Sequence, residues 1–223
     1  CLRTPRLLRG LQGLVQRKGG SLLDGITVLE LREEGSSIRG VVTDQGTLQA
    51  PRVILAAGPW SRDLLRPLGV ELPVSPVKGA MLLLQGIRPL LGQILMAGTH
   101  YLIPRPDNRI LVGSTQESTG FDDRVSLGSV RTLAQAAVEM VPACADLELE
   151  DFWAGLRPGS PDDQPIIGQV PGIEGLYLNT GHFRNGIVQA PASAELLAAL
   201  VDRASPSLDP ASFAPGRVVE EGP

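Results

Sequence analysis

Three segments of the chain place apolar residues at the spacing of a helix. The first starts at Pro5, a residue suited to a first helical turn, and stops at Gly19; its apolar positions are Leu7, Leu8, Leu11, Leu14 and Val15. The second runs from Leu127 to Met140, and the third from Ile187 to Val201. We therefore predict one helix near the start of the chain, one in the middle and one towards the end.

Short alternating or continuous apolar runs predict strands between these helices. Residues 26–31, 38–43 and 47–49 alternate between turn residues, which indicates a small antiparallel meander. In the segment 52–57, Arg52 is followed by a continuous apolar run that ends at Gly58, the pattern of a parallel strand buried on both faces. Further strands are predicted over 80–84, 94–96, 101–104, 109–112, 148–156 and 176–179. The tail from Ser205 is rich in Pro, Ser and acidic residues and is predicted to be disordered.

The composition is that of an ordinary globular protein. Of the 223 residues 43% are hydrophobic, and 20 basic against 24 acidic residues give a net charge of −4. This balance offers no basic surface for nucleic acid, and no apolar run reaches the roughly 18 residues of a membrane helix. Cys1, Cys144 and two histidines are too few for a disulfide framework or a zinc site. We therefore expect a reducing, cytoplasmic location and no bound metal.

Three features are candidates for chemistry. Gly58, at the end of a predicted parallel strand, allows close approach of a cofactor, although a tight turn without a ligand explains it as well. Arg157, at the end of the strand 148–156 and before Pro158, presents a planar fork suited to a carboxylate; a surface pair with Asp162 or Asp163 is the alternative. Residues 181–186 place two glycines at a helix N-terminus, which favours an anion or simply makes a turn.

Together and in this order, these features resemble the C-terminal part of the FAD-dependent D-amino-acid oxidase superfamily. The most specific stretch runs from Trp153 to Pro191 and includes Gly-Leu-Arg-Pro at 155–158 and Gly-His-Phe-Arg-Asn-Gly at 181–186. Three upstream segments add to the resemblance. Residues 53–60 resemble the family's second flavin-binding strand, residues 76–79 resemble the start of its substrate domain, and residues 101–105 resemble its active-site tyrosine strand. The likeness covers about residues 5–201 and is greatest to the glycine oxidases of bacterial thiamine biosynthesis.

The resemblance implies an α/β (α+β) fold. It consists of a partial FAD-binding Rossmann-like domain and an inserted antiparallel-sheet substrate domain. Residues 1–77 and 154–203 would form the FAD-binding domain, 78–153 the substrate-binding domain, and 204–223 the disordered tail. The family's Gly-x-Gly-x-x-Gly loop, which holds the FAD pyrophosphate, does not occur in this sequence. Since the chain starts without Met and directly on a helix pattern, we expect a fragment of a longer protein that lacks the N-terminal βαβ unit and binds FAD poorly by itself.

The resemblance also implies contacts with the substrate. Arg157 matches the arginine that clamps the substrate carboxylate, and Tyr101 a tyrosine whose hydroxyl reaches the same group. Arg184 matches an arginine on the flavin and substrate side. Gln116 follows Gly-Ser-Thr at 113–115, where the glycine oxidases have a methionine. This departure makes the pocket wall more polar and weakens the inference of a strict preference for glycine.

Contacts with FAD are implied at two places in the sequence. The residues concerned are Val28, Gly58, Trp60, Gly181, His182, Phe183, Arg184, Asn185, Gly186, Ile187 and Val188. The backbone of Val28 would meet the adenine half, and residues 182–188 would lie along the flavin. We expect His182 to be structural and the FAD to be bound non-covalently, because Cys144 is far in sequence from the flavin motifs.

The activity implied is oxidative deamination of a small amino acid by hydride transfer to the flavin, with O₂ reduced to H₂O₂. The flavin carries the chemistry, so no side chain is assigned as a catalytic acid or base. The alternatives are a sarcosine or secondary-amine oxidase, a dehydrogenase of the same superfamily, and a catalytically incomplete fragment without flavin. A homo-oligomer is left open, and no nucleic-acid or membrane partner is expected.

Overall fold

The computed structural model describes residues 2–221. Cys1, which entered the cysteine argument, lies outside the described residues. The chain divides into two compact units: the first contains Cys1–Pro73 and Gln164–Pro223, and the second contains Val74–Asp163. The mixture of helices with antiparallel sheets confirms the predicted fold class.

The elements follow the chain in an order that the sequence pattern largely predicts. They are α1 (Thr4–Arg17), β1 (Val28–Glu34), β2 (Ser37–Thr43), β3 (Gly46–Gln49), β4 (Val53–Leu55), α2 (Ser61–Leu65), β5 (Val70–Glu71), β6 (Ser75–Gln85), β7 (Leu95–Ala97), β8 (His100–Pro104), β9 (Arg109–Gly113), α3 (Leu127–Met140), β10 (Glu148–Gly159), β11 (Ile166–Gln169), β12 (Leu176–Thr180), α4 (Gly186–Val201) and β13 (Glu220–Glu221). Short 3₁₀ helices lie at Gly58–Trp60, Arg66–Leu68, Pro142–Asp146, Pro210–Phe213 and Pro215–Arg217.

The first unit contains three small sheets. Strands β1, β2 and β3 form the predicted antiparallel meander. Strand β12 pairs antiparallel with β11 and parallel with β4, which confirms the parallel strand predicted upstream of Gly58. The predicted burial of that strand on both faces is wrong, because Ile54 in its middle is 49% exposed. Strands β5 and β13 form the third sheet.

The second unit is a five-stranded antiparallel sheet in the order β10-β6-β9-β8-β7, with α3 on one face. Alternate residues of β6 (Ala80, Leu82 and Leu84) are buried together with Leu133 and Ala137 of α3. Helix α3 has the predicted bounds, and the Ser126 side chain caps it by accepting a hydrogen bond from the Ser129 amide. Because side chains alternate along a strand, the residues between those three project from the other face of the sheet.

The unit boundaries differ from the predicted ones. Strands β6 and β10 pair along their full lengths, from Glu148 opposite Gln85 to Gly159 opposite Ser75. This long pairing holds residues 75–77 and 154–159 in the second unit, whereas the family resemblance implied that they belong to the first. Strand β10 therefore continues three residues beyond its predicted end.

The disorder predicted for the tail is wrong for the residues up to 221. Residues 210–213 and 215–217 form 3₁₀ helices, and β13 pairs with β5. Phe213 packs against the cluster that includes Tyr177 and Leu196, and Pro215 is buried. The tail is polar on average, yet Phe213 and Pro215 attach it to the first unit. Within the part of the chain that is described, no helix is both long and apolar enough to cross a bilayer.

Candidate functional site

Arg157 lies inside β10, opposite Val77 of β6. Its position at a strand end, predicted from Pro158, is wrong: Pro158 pairs in register with Pro76, and β10 is an edge strand of its sheet, where proline is tolerated. The guanidinium donates from Nη2 to Ser114 Oγ at 2.8 Å and from Nη1 to the Thr115 carbonyl at 3.3 Å. These contacts carry the side chain from β10 across β6 to the segment that follows β9.

Arg157 reaches this position because residue 79 has no side chain. A Cβ placed on Gly79 would overlap the guanidinium carbon and both of its terminal nitrogens. Gly79 belongs to the set of β6 residues that projects from the sheet face opposite α3. The guanidinium therefore lies directly against the backbone of β6 on that face.

Tyr101, on β8, projects from the same face of the sheet as Arg157, and the two residues lie on strands to either side of β6. Tyr101 stands opposite Gly113 of β9, which in turn stands opposite Met81 of β6. A Cβ on Gly113 would lie 2.6 Å from the Tyr101 ring, so this glycine makes room for the ring. The Tyr101 hydroxyl lies 3.5 Å from Met81 Sδ and donates to it.

The structure thus brings Arg157 and Tyr101 together. The guanidinium lies over Gly79 and the tyrosine hydroxyl over Met81, two residues that are about 7 Å apart along one strand face. We call Gly79, Met81, Tyr101, Gly113 and Arg157 the sheet platform. Two of these five residues were predicted; the two glycines and Met81 were missed, because their role depends on a register between strands that are distant in sequence.

Gln116 is exposed and lies two residues beyond Ser114, whose hydroxyl accepts a hydrogen bond from Arg157. It lines an open groove of about 470 Å³ together with Thr99, His100 and the first turn of α3. Gln116 thus lines this groove and does not belong to the sheet platform, so the more polar wall of the substrate pocket stays a prediction.

In the first unit, two glycines lie close together just beyond the carboxyl ends of two strands, and we call Gly58 and Gly181 the glycine junctions. Gly58 follows β4 and Gly181 follows β12, and these two strands are parallel neighbours. The Thr180 hydroxyl donates to the Gly58 carbonyl at 3.0 Å, which ties the junctions together. Both glycines have positive φ angles, 55° and 76°, a conformation that other residues rarely adopt.

The segment 181–186 leads directly into α4. The His182 ring contacts the hydroxyl of buried Ser193 at 2.9 Å, and burial lowers the pKa of His182, which favours the neutral ring. Phe183 has a φ of 46°, and the His182 carbonyl accepts a hydrogen bond from the Asn185 amide before the helix starts at Gly186. The His182 ring is thus held by a contact with α4, and its structural role stays a prediction.

Several residues predicted to contact the cofactor expose apolar surface. Trp60 is 51% exposed and Val188 is 84% exposed, and Ile187 beside it is exposed as well. Arg184 is exposed in the same segment. Val28 begins β1 and so belongs to the meander sheet, not to the sheet that carries Gly58 and Gly181.

The edge formed by these junctions fits the ring end of a flavin. Exposed apolar side chains flank glycine junctions with little bulk, and the N-terminus of α4 favours negative charge. Next to Trp60, Ser61 Oγ is buried and has no hydrogen-bond partner among residues 2–221. The chain has no Gly-x-Gly-x-x-Gly loop, so the residues that it does contain fit the ring end and not the pyrophosphate.

The parallel strands that end at Gly58 and Gly181, together with an antiparallel sheet in a second unit, define a two-unit fold of mixed helices and sheets. Residues 1–200 match the DAO family, described as FAD dependent oxidoreductase, and the chain belongs to that family.

Individual relatives are similar over nearly the whole chain. A glycine oxidase of Pseudomonas aeruginosa is 46% identical over 215 residues, which are 96% of this chain and 59% of the relative. The bifunctional protein ThiO/ThiG of Synechocystis is 36% identical over 95% of this chain and 32% of its own length. The crystal structure of glycine oxidase from Geobacillus kaustophilus superposes with a TM-score of 0.83 and 35% identity, over 88% of this chain and 53% of that one. The chain therefore spans at most about three fifths of these relatives.

Proposed function

We propose that the chain is the substrate-binding and flavin-ring-binding part of an FAD-dependent oxidase that deaminates a small amino acid. The observation that carries this proposal is the meeting of Arg157 and Tyr101 on the sheet platform. A guanidinium and a phenolic hydroxyl on one open sheet face form a donor set suited to a carboxylate. The glycine-oxidase and DAO relatives support an amino acid as the source of that carboxylate.

In this proposal Arg157 binds and orients the substrate. Its hydrogen bonds to Ser114 and Thr115 restrict the rotation of a long side chain, so less entropy is lost when the carboxylate binds. A hydrogen bond to a charged group contributes about 1.5–3 kcal/mol, and the Tyr101 hydroxyl adds about 1 kcal/mol. Arg184 is proposed to contribute on the flavin and substrate side, and Gln116 to make the adjoining wall polar.

The proposed flavin contacts use the first unit. Gly58, Trp60 and the backbone from Gly181 to Val188 would hold the ring, and the N-terminus of α4 would favour negative charge near it by up to about 2 kcal/mol. The backbone of Val28 would meet the adenine half. When bound, FAD would accept a hydride from the amino acid, and O₂ would then re-oxidise the flavin and be reduced to hydrogen peroxide.

Non-covalent binding is supported by the state of Cys144. This thiol is 5% exposed within the α3 cluster, and burial raises its pKa, which disfavours the reactive thiolate. We propose that the phosphate-binding loop lies in the part of the longer relatives that this chain does not span. The 223 residues alone are then expected to bind FAD poorly and to be inactive. A role in thiamine biosynthesis, a cytoplasmic location and a homo-oligomer stay predictions.

The test uses the protein extended upstream to the length of its relatives. Peroxide release is measured with glycine, D-alanine, sarcosine and an amine without a carboxylate, after the flavin content has been determined. We expect stoichiometric, acid-extractable FAD and turnover of primary amino acids. Covalently retained flavin, or faster turnover of the amine that lacks a carboxylate, would refute the proposal; preference for sarcosine would favour the secondary-amine alternative.

A further inference from the structure

Thr115 connects Arg157 to a buried polar network in the second unit. Its backbone carbonyl accepts the hydrogen bond from Arg157 Nη1 at 3.3 Å. Its hydroxyl donates to Glu117 Oε1 at 2.6 Å and accepts from the Ala80 amide at 2.9 Å. The position of the Thr115 carbonyl is therefore coupled to the position of the Glu117 carboxylate.

Glu117 is in turn held by a buried cation. Its Oε2 lies 3.0 Å from Nζ of Lys78, whose side chain is 3% exposed, and its Oε1 accepts from the Ser129 hydroxyl at 2.8 Å. Lys78 Nζ also donates to the Arg124 carbonyl at 3.0 Å. The backbones of Lys78 and Glu117 exchange two hydrogen bonds of 2.9 Å. Partial burial of Glu117 opposes ionisation, but the hydrogen bonds from Thr115, Lys78 and Ser129 outweigh it and lower the pKa of Glu117.

A buried lysine is costly unless its charge is paired, and the partner of Lys78 is Glu117, which also fixes the segment 114–117. Lys78 and Gly79 are adjacent in β6, on opposite faces: Lys78 reaches Glu117, and Gly79 accommodates the Arg157 guanidinium. The segment 114–117 thus contacts Arg157 through Ser114 and Thr115 and contacts Lys78 through Glu117.

We propose that Glu117 and Lys78 are positioning residues: through Thr115 they fix the Ser114 and Thr115 acceptors, and thereby the Arg157 guanidinium, for a substrate carboxylate. This inference rests on the proposed function, because it assigns Arg157 to carboxylate binding. Neither Glu117 nor Lys78 is required to touch the substrate. Their loss should weaken binding of carboxylates while leaving the flavin and the chemical step in place.

The test compares Thr115→Val and Glu117→Gln with wild type in the flavin-loaded, full-length protein. Thr115→Val keeps the carbonyl but removes the hydroxyl that donates to Glu117 and accepts from the Ala80 amide. Glu117→Gln removes the charge that faces Lys78. Glu139→Gln is the matched control, since exposed Glu139 accepts a hydrogen bond from Gln135 on α3 at 2.8 Å. Acetate, an amine-free carboxylate, is titrated against the flavin absorbance, and kcat, KM and flavin content are measured separately.

We expect each of the two variants to bind acetate about tenfold more weakly and to raise KM similarly, with kcat within about twofold. Wild-type acetate affinity in Thr115→Val, or a loss of affinity that Glu139→Gln shares, would overturn the inference. If Glu117→Gln does not fold, Thr115→Val decides the question alone. A wild-type protein that contains flavin but releases no peroxide from any amino acid would instead overturn the proposed function, and it is recognised before any variant is made.

Discussion

The guanidinium of Arg157 occupies the space where a side chain of residue 79 would stand. Glycine at that position is therefore a condition for the placement of Arg157, independent of any backbone conformation. The relationship joins β10 to β6 and could be recognised only once their register was known.

Gly79→Ala should fold normally and bind substrate poorly. The atoms that the new methyl group meets are the far end of a flexible side chain, so Arg157 moves and the backbone does not. We expect a change of only a few degrees in the melting temperature and a rise in KM of about tenfold, because a charge-assisted hydrogen bond is displaced. The control is Gly155→Ala: Gly155 stands directly opposite Gly79, and a Cβ there meets open space. Equal KM values for both variants would contradict the assignment.

Tyr101→Phe removes the hydroxyl that lies over Met81 and leaves the ring against Gly113. One neutral hydrogen bond to the substrate is worth about 1 kcal/mol, so KM should rise about fivefold while kcat changes little. Steady-state kinetics with glycine measures both quantities. Tyr177→Phe, in the core of the first unit, serves as the control. If Tyr101→Phe leaves KM unchanged, the hydroxyl does not contact the carboxylate.

Thr180→Val should remove the hydrogen bond that joins the segments at Gly58 and Gly181 in the first unit. It removes the donor to the Gly58 carbonyl and leaves that carbonyl without this hydrogen bond. We expect the free energy of unfolding in urea to fall by about 1–2 kcal/mol and the flavin content of the full-length protein to fall with it. Thr47→Val, on exposed β3, should change neither. Full flavin occupancy in Thr180→Val would argue against a cofactor at this edge.

The lowered pKa of His182 makes stability depend on pH in a defined direction. Burial disfavours the charged ring in the folded state, whereas the unfolded chain titrates near the ordinary value of 6.5. Below that value the unfolded state binds a proton that the folded state resists, so stability decreases as the pH falls and is fully present above it. Urea unfolding from pH 5 to 8 should show this slope in wild type.

His182→Gln should reduce that slope between pH 5 and 6.5, and His100→Gln should retain it. The comparison isolates the His182 contribution from the carboxylates that titrate at lower pH. A slope that His182→Gln leaves intact would mean that the buried ring is not the source of the effect.

The pattern of the sequence predicted most elements because their apolar spacing is local. Helix α3 has its predicted bounds, and the parallel strand before Gly58 followed from a short β-branched run. The site depended on longer-range facts. Arg157 was identified by its motif, yet its position inside β10 and its contact with Thr115 arise from pairing across about 80 residues of chain.

The tail shows the opposite error. Its proline and serine content indicated disorder, since a segment with few large apolar residues buries little apolar surface. Phe213 and Pro215 nevertheless pack on the first unit, and composition averaged over a segment does not reveal two well-placed residues. Glu117 and Lys78 were missed for a related reason: separated by 39 positions, they carry no local signal, and only the register of the segment after β9 beside β6 joins them.

The most direct test of the account is the KM for glycine of Arg157→Ala in the flavin-loaded, full-length protein, measured by peroxide release. Arg88→Ala, at an exposed arginine of the same unit, is the control. The account predicts an increase in KM of about tenfold to hundredfold with retained flavin for Arg157→Ala, and wild-type values for Arg88→Ala. A KM for Arg157→Ala equal to that of the wild type would contradict the claim that the sheet platform binds the substrate carboxylate.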